Sequence, residues 1–474
     1  MKNTKTLWSL LCVVLLVLAV VTGCSGGNAS NRTESGTNAG GNAGGGSTDA
    51  GTNTGANAGN NASADAGNNA GSEPAEKIKL TVYVFNGTLT DEEFQRNIVE
   101  PATAKFPNLE FEVLRGGPDL RPEDLIAAGD FPDITFTGMR TITQFSDLNI
   151  PLQLDEYVQK HNLDLGVYHE AAVKTIQSFS PDGSSLLALP LRINTRALFY
   201  NKDVFDRFAV PYPQDNMTWD DVIRLSKQLT REEGGVQYRG VVPPAITEFS
   251  RGLSLPYVDK ASEKSAVNTD QWKRVFELTK QVYESAVPEI VNWGASEQLF
   301  LKDKVVGMLP WYAEGLFAQI GEMEKQGDTF NWDLTTFPAY PESPGETVEM
   351  DLAVYIVSST SKHKDIAFQV ISHLTTSEEL MIQLARTGTI PALKLDNIES
   401  IFGQDVPALQ GKNIAGLFKA AYREAPPATP YDTIARQAVS AAFTEYLNGQ
   451  VDVNTALRQA DEKINQTIEQ QRAK

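Results

Sequence analysis

The stretch Ala197-Leu198-Phe199-Tyr200-Asn201-Lys202-Asp203-Val204-Phe205 holds the pattern that decides the fold class. Four apolar residues, a strand's length, run into Asn201 and Asp203. These side chains bond their own backbone and turn the chain, and apolar residues then resume. Upstream, Ile78-Lys79-Leu80-Thr81-Val82-Tyr83-Val84-Phe85 alternates as a strand does and stops at Asn86-Gly87, with a helix expected from about Asp91. Phe131-Pro132-Asp133-Ile134-Thr135-Phe136 and the run from Lys304 to Leu309 add further short strands. Thr218-Trp219-Asp220-Asp221 sets a hydroxyl at a helix N-cap and a carboxylate three positions on, ahead of Val222, Ile223 and Leu229 at helical spacing. Ala367, Val370, Ile371 and Leu374 form a second helical stripe, and Val453, Leu457, Ala460, Ile464 and Ile468 a third. Strands and helices mixed over this length predict α/β layers with partly parallel sheets.

The N-terminus reads differently. Lys2 and Lys5 precede an apolar run from Leu7 to Val21, too short at about 15 residues to span a bilayer comfortably, so it reads as a signal segment. It ends in Val21-Thr22-Gly23-Cys24, which resembles the lipobox of bacterial lipoproteins; that resemblance implies lipidation at the Cys24 sulfur and cleavage before it. The alternative is an ordinary secretory signal that ends this way by chance. From Ser25 to Ser72 nearly every residue is Gly, Asn, Ala, Ser or Thr, a composition that cannot offset the entropy of ordering it. As a flexible coil it would span roughly 35 to 42 Å, a leash able to stand a domain off a membrane through a thick wall, which points to a Gram-positive source. These glycines therefore form no phosphate loop.

The chain carries 41 basic and 60 acidic residues, and losing Lys2 and Lys5 with a signal would take the net charge from −19 to −21. That balance opposes nucleic-acid binding, which draws on Lys and Arg against phosphate. Cys12 would leave with the signal and Cys24 would carry lipid, so no disulfide is expected in the folded part, which is long enough to build a core without one. Each of the four histidines can be checked: His169-Glu170-Ala171-Ala172 starts like a zinc-protease motif but has Val173 where the second His belongs, and His363 between two lysines reads as surface. No nucleophile elbow, Walker loop or calcium loop occurs, and nothing calls for a cofactor or a metal. Paired carboxylates that meet only in space stay open, which keeps a surface glycosidase as the enzyme alternative.

Six blocks in order resemble the extracellular solute-binding proteins of family 1, relatives of maltose-binding protein that feed ABC importers. They are Ala127 to Ile134; Leu189-Pro190-Leu191 continuing into Ala197 to Phe205; Met217 to Asp221; Ser361 to Asp365; Arg386 to Ala392; and Val453 to Leu457. The resemblance implies a two-lobed, periplasmic-binding-protein-like α/β fold of type II, with a central ligand cleft between lobes joined by hinge crossings. The expected organisation is signal 1–23, lipidated Cys24 and linker 24–76, an N-terminal lobe 77–190 with 357–405, and a C-terminal lobe 191–356 with 406–474. Crossings are expected near Leu191 to Thr195, Asp351 to Tyr355 and Asp405.

It also implies function: a monomer held to the outer face of the cell membrane that captures a carbohydrate, an oligosaccharide, and hands it to ABC permease subunits without chemistry. Receptors for an acidic sugar or uronate, and sensory receptors without transport, are the other binding readings. Strand ends facing a cleft nominate the contacts. Asn86 follows the first strand, as contact or turn residue. Thr137 and Arg140 follow Phe136, where relatives often carry Trp or Asp; their absence here argues against maltose itself. Arg192 and Asn194 lie in the first crossing, with a hinge salt bridge as the plain role for Arg192. Trp311 follows Pro310 where relatives stack Trp on sugar, against core packing; Asp351 enters the second crossing, as acceptor or loop cap; Tyr431 follows Pro426-Pro427 as an aromatic candidate.

Overall fold

Arg196–Asn201 and Leu352–Val357 are buried along their whole length, and each has a neighbouring strand on both edges. Burial on both faces is what such interior strands require. The computed structural model describes residues 76–473 apart from Thr88 and Pro288; the signal segment, Cys24 and nearly all of the linker lie outside the described residues.

Strands are numbered in chain order. The first sheet runs β14 (Ile390–Pro391), β4 (Leu189–Ile193), β13 (Leu352–Val357), β3 (Ile134–Gly138), β1 (Ile78–Val84), β2 (Leu109–Arg115). β1 pairs in parallel with β2 and β3, while β13 is antiparallel to β3 and β4. The second sheet runs β11 (Trp332–Thr336), β5 (Arg196–Asn201), β10 (Val306–Tyr312), β7 (Val236–Val241), β6 (Arg231–Glu233). Two small pairs complete the set, β12 (Glu346–Glu349) with β15 (Ala421–Arg423), and β8 (Val258–Asp259) with β9 (Lys264–Ser265).

The capping box expected at Thr218 forms: the Asp221 N–H donates to the Thr218 hydroxyl and the Thr218 N–H to the Asp221 carboxylate at 3.1 Å, opening the helix Trp219–Leu229. That helix presses on β7, where a Cβ on Gly240 would stand 2.2 Å from the Ser226 carbonyl oxygen, so only glycine fits. Trp219 is buried, its ring 4.4 Å from that of Phe249. The other two stripes face the core on the helices Lys364–Thr376 and Val453–Arg472. Among the described residues no helix is long and apolar enough to cross a membrane.

The sheets also fix where the chain crosses between lobes. β4 stays in the first sheet as far as Ile193 and β5 opens the second at Arg196, so the first crossing is Asn194–Thr195. The expected lobe boundary at 356 needs correction. Leu352–Val357 is a central strand of the first sheet, paired with β3 on one edge and β4 on the other, and the chain therefore crosses at Met350–Asp351. These two crossings are bonded to each other, Asn194 N–H donating to the Asp351 carbonyl at 2.8 Å. A third follows the Arg386–Asp405 ion pair and ends where Asn413 N–H donates to Asp333 of β11 at 2.9 Å.

Candidate functional site

β10 ends at Pro310-Trp311-Tyr312 and passes straight into the helix Ala313–Lys325. The strand is buried because Gly307 lets Leu229 approach: a Cβ there would stand 2.7 Å from a Leu229 methyl. Trp311 is 8% exposed, and its indole N–H donates to Glu297 at 3.0 Å. Gln319 donates to the same Glu297 oxygen at 2.8 Å, so the ring is held from two elements. Trp311 and Tyr312 line a cavity of about 210 Å³ with Pro243, Pro244, Tyr283 and Phe337. Apolar walls of this kind suit the C–H face of a sugar ring.

Behind Tyr312 lies a compact charge cluster at the waist. Arg196 pairs with Glu248 at 2.6 Å and with Asp351 at 3.1 Å; Arg251 pairs with Glu248 at 2.9 Å and with Glu349 and Asp351 at 3.4 Å. Arg140, from the loop after β3, pairs with Glu349. The Tyr312 hydroxyl accepts from Arg196 at 2.5 Å and Arg251 at 3.0 Å and donates to Asp351 at 3.3 Å. Three guanidinium groups thus meet three carboxylates. Burial works to raise the Asp351 carboxyl, but Arg251 and Arg196 overcome it and hold the group well below the usual carboxylate range. Because Arg140 belongs to the first lobe and Arg251 to the second, the cluster ties both to the second crossing.

A larger cavity, about 660 Å³, opens between the lobes. Leu89, Arg96 and Arg192 reach it from the first lobe, Glu314 and Phe317 from the helix after β10, and Asp405 to Ala408 from the third crossing. Ligand pockets commonly enclose about 300 to 1,000 Å³, a range this cavity shares with another of about 540 Å³ lined by Lys174, Asp182, Lys260 and Glu424 and from which the cavity beside Trp311 is excluded. Glu314 accepts from the Thr195 backbone N–H at 3.1 Å, which joins the helix to the first crossing. Burial pushes its carboxyl up to about 7, with Arg192 drawing it down in part.

A family model described as bacterial extracellular solute-binding protein matches residues 86–381. The chain belongs to that family. Among solved structures it is similar to an ABC substrate-binding protein of Listeria monocytogenes in complex with cycloalternan, at 20% identity and a TM-score of 0.66, over 83% of this chain and 99% of that one. A sugar transporter protein of Rhizobium etli in an open conformation matches at 21% identity and a TM-score of 0.63, over 81% of this chain and 99% of that one. A putative binding protein of Brucella abortus is 22% identical over 257 residues, 52% of this chain and 59% of that protein, so the chain spans under two thirds of that relative's length. Likeness at these identities is one of fold, and the fold is that of the two-lobed binding proteins.

The residues singled out in the sequence of this solute-binding protein fall in several environments. Arg192 lines the interlobe cavity and Trp311 the smaller one. Asn86 is exposed in a left-handed turn, φ 50°, three residues before the lining residue Leu89. Asn194 lies in the first crossing, where its backbone N–H bonds Asp351. Arg140 and Asp351 belong to the waist cluster, their charges already paired. Two positions differ from expectation. Thr137 is fully buried, its hydroxyl donating to that of Thr141 at 2.9 Å, because β3 is an interior strand there and its register with Val354 turns the side chain inward. Tyr431 lines neither cavity; it precedes the helix Asp432–Leu447 and lies 6.0 Å from the Arg472 guanidinium.

Glu314, Glu248 and Glu297 were not foreseen. Acidic residues in the first turn of a helix are common, so Glu314 after Trp311-Tyr312-Ala313 gave no signal of its own. Glu248 has a local partner in Arg251 but meets Arg196 only through tertiary packing, as Glu297 meets Trp311 and Gln319.

Proposed function

We propose that this protein is a lipid-anchored receptor on the outer face of the cell membrane that captures an oligosaccharide by closure of its lobes and delivers it to an ABC permease. The observation that carries this reading is the interlobe cavity of about 660 Å³, walled by both lobes and the third crossing. Desolvated sugar hydroxyls need paired donors and acceptors, which Arg192 as donor, Glu314, and the backbone carbonyls of Thr387 to Thr389 as acceptors can supply. The aromatic pair Trp311 and Tyr312 gives an apolar surface beside the first crossing. Binding drives closure only to the extent that ligand prefers the closed form. A micromolar ligand has about 8 kcal/mol to divide between contacts and closure.

The test is to unfold the purified protein, identify any released ligand by mass spectrometry, and then record thermal shifts with a panel of linear and cyclic oligosaccharides. A saccharide that raises the melting temperature and travels with the protein is the expected result; no shift with any saccharide would sink the reading. The anchor is tested separately. Cys24→Ala is expected to abolish palmitate labelling and move the protein from the membrane fraction to the medium.

A further inference from the structure

Four residues apart, Arg192 and Arg196 enter the waist of the molecule with opposite fates. Arg196 lies in ion-pair range of two carboxylates and donates from one Nη to Asp351, although its Nε and other Nη are buried without a hydrogen bond. Arg192 has no hydrogen-bond or ion-pair partner among the described residues, and its Nε is buried without one. It is nevertheless well placed, on β4 between two neighbouring strands, its guanidinium 5.7 Å from the centroid of the buried Phe136 ring. A guanidinium held over an aromatic face keeps its in-plane donors for a planar, bidentate acceptor such as a carboxylate.

The other charges along the interlobe cavity are mostly taken. Glu93 accepts from the Thr90 N–H at 2.8 Å in its helix cap, Arg96 donates to Asn97 at 3.2 Å, Lys325 lies 3.6 Å from Glu322, and Asp405 pairs with Arg386 at 2.6 Å. Glu324 stands ten residues beyond Glu314, about 15 Å along the helix, at the far end of the space. Glu314, the acid whose field Arg192 feels, is pushed up to about 7 by its burial, so at pH 6 it is mostly protonated and does not cancel the arginine. The chain's negative net charge opposes anions at long range, but salt screens that beyond about 8 to 10 Å and leaves contact pairing intact.

We propose that the interlobe cavity takes an acidic saccharide, a uronate-containing oligosaccharide whose carboxylate pairs with Arg192. This rests on the carbohydrate reading above and narrows it. The test titrates full-length protein calorimetrically at pH 6 with trigalacturonate and with the neutral trisaccharide made by reducing its three carboxyls. Wild type is expected to bind the uronate at least tenfold more tightly than the neutral sugar. Arg192→Gln is expected to lose that preference and Arg192→Lys to keep part of it, each read as the ratio of uronate to neutral-trisaccharide affinity within the same protein, with unchanged apo melting temperatures. Equal or tighter binding of the neutral trisaccharide by wild type, or a uronate preference that survives in Arg192→Gln, overturns the acidic-ligand inference and leaves the carbohydrate reading standing. Failure of both trisaccharides and of the whole oligosaccharide panel overturns the two together.

Discussion

The waist cluster and the interlobe cavity treat buried charge in opposite ways, although one two-residue crossing separates Arg192 from Arg196. At the waist, Arg196 and Arg251 share Glu248 and Asp351, and a tyrosine hydroxyl fills in between. In the cavity, Arg192 is unpartnered and Glu314 is shifted toward its neutral form. Taking a charge out of water is costly unless it is paired, so a closed set of pairs can serve structure alone, whereas an open set is retained for something that arrives. The difference lies in accounting for partners, not in residue type.

The strongest attempt to break this comparison is Arg196→Met. It leaves Glu248 and Asp351 facing one fewer cation, and losing one partner of a buried pair costs about 3 to 5 kcal/mol, to be read as a lower denaturant midpoint. A midpoint that does not move would show that the waist is solvated and its pairs weak. Glu314→Gln tests the cavity side. A carboxyl raised from 4.5 to about 7 gives stability that is fully present below pH 4.5 and is lost as pH rises toward 7. The variant is therefore expected to match wild type at pH 4.5 and to exceed it by on the order of 3 kcal/mol at pH 8. A flat difference between pH 4.5 and 8 would remove the burial argument.

Arg192→Met sharpens the contrast with its neighbour. The contact with Phe136 and the pull on Glu314 are lost but no ion pair is broken, so the apo protein is expected to change by no more than about 1 kcal/mol in chemical denaturation. A loss as large as that of Arg196→Met would mean Arg192 is a structural residue after all. The smallest effect belongs to Trp311→Phe, which keeps an aromatic plane and removes one hydrogen bond. Glu297 retains Gln319, so about 1 kcal/mol is expected, with sugar affinity largely kept. A collapse of affinity in that variant would put the indole N–H itself on the ligand.

Local rules carried the fold a long way. The strand at Ala197 to Asn201, the capping box at Thr218 and the three apolar stripes all follow from periodicity and hydrogen-bonding capacity within a few residues, and each lies where those rules put it. The crossings were harder. Leu352–Val357 reads equally well as the end of one lobe or a strand of the other, and only its pairing with β3 and β4 decides. The site was legible in part: Arg192 and Trp311 were nominated from strand ends and line cavities, whereas Thr137 shows that a strand end can still face inward. Glu314 and Glu297 owe their roles to burial and to partners distant in sequence, which no local window contains.

The hydrogen bond from Asn194 to Asp351 laces two crossings, each only two residues long, into a single pin. Bodies joined by so short a pin can swing but hardly slide, while the longer third connection only has to supply slack. In a swing, atoms beside the pin travel least and atoms at the rim travel furthest. Arg192 and Glu314 stand next to the pin, so under the proposed closure a ligand would meet them in nearly their final places. Charge would then be inspected first and shape last.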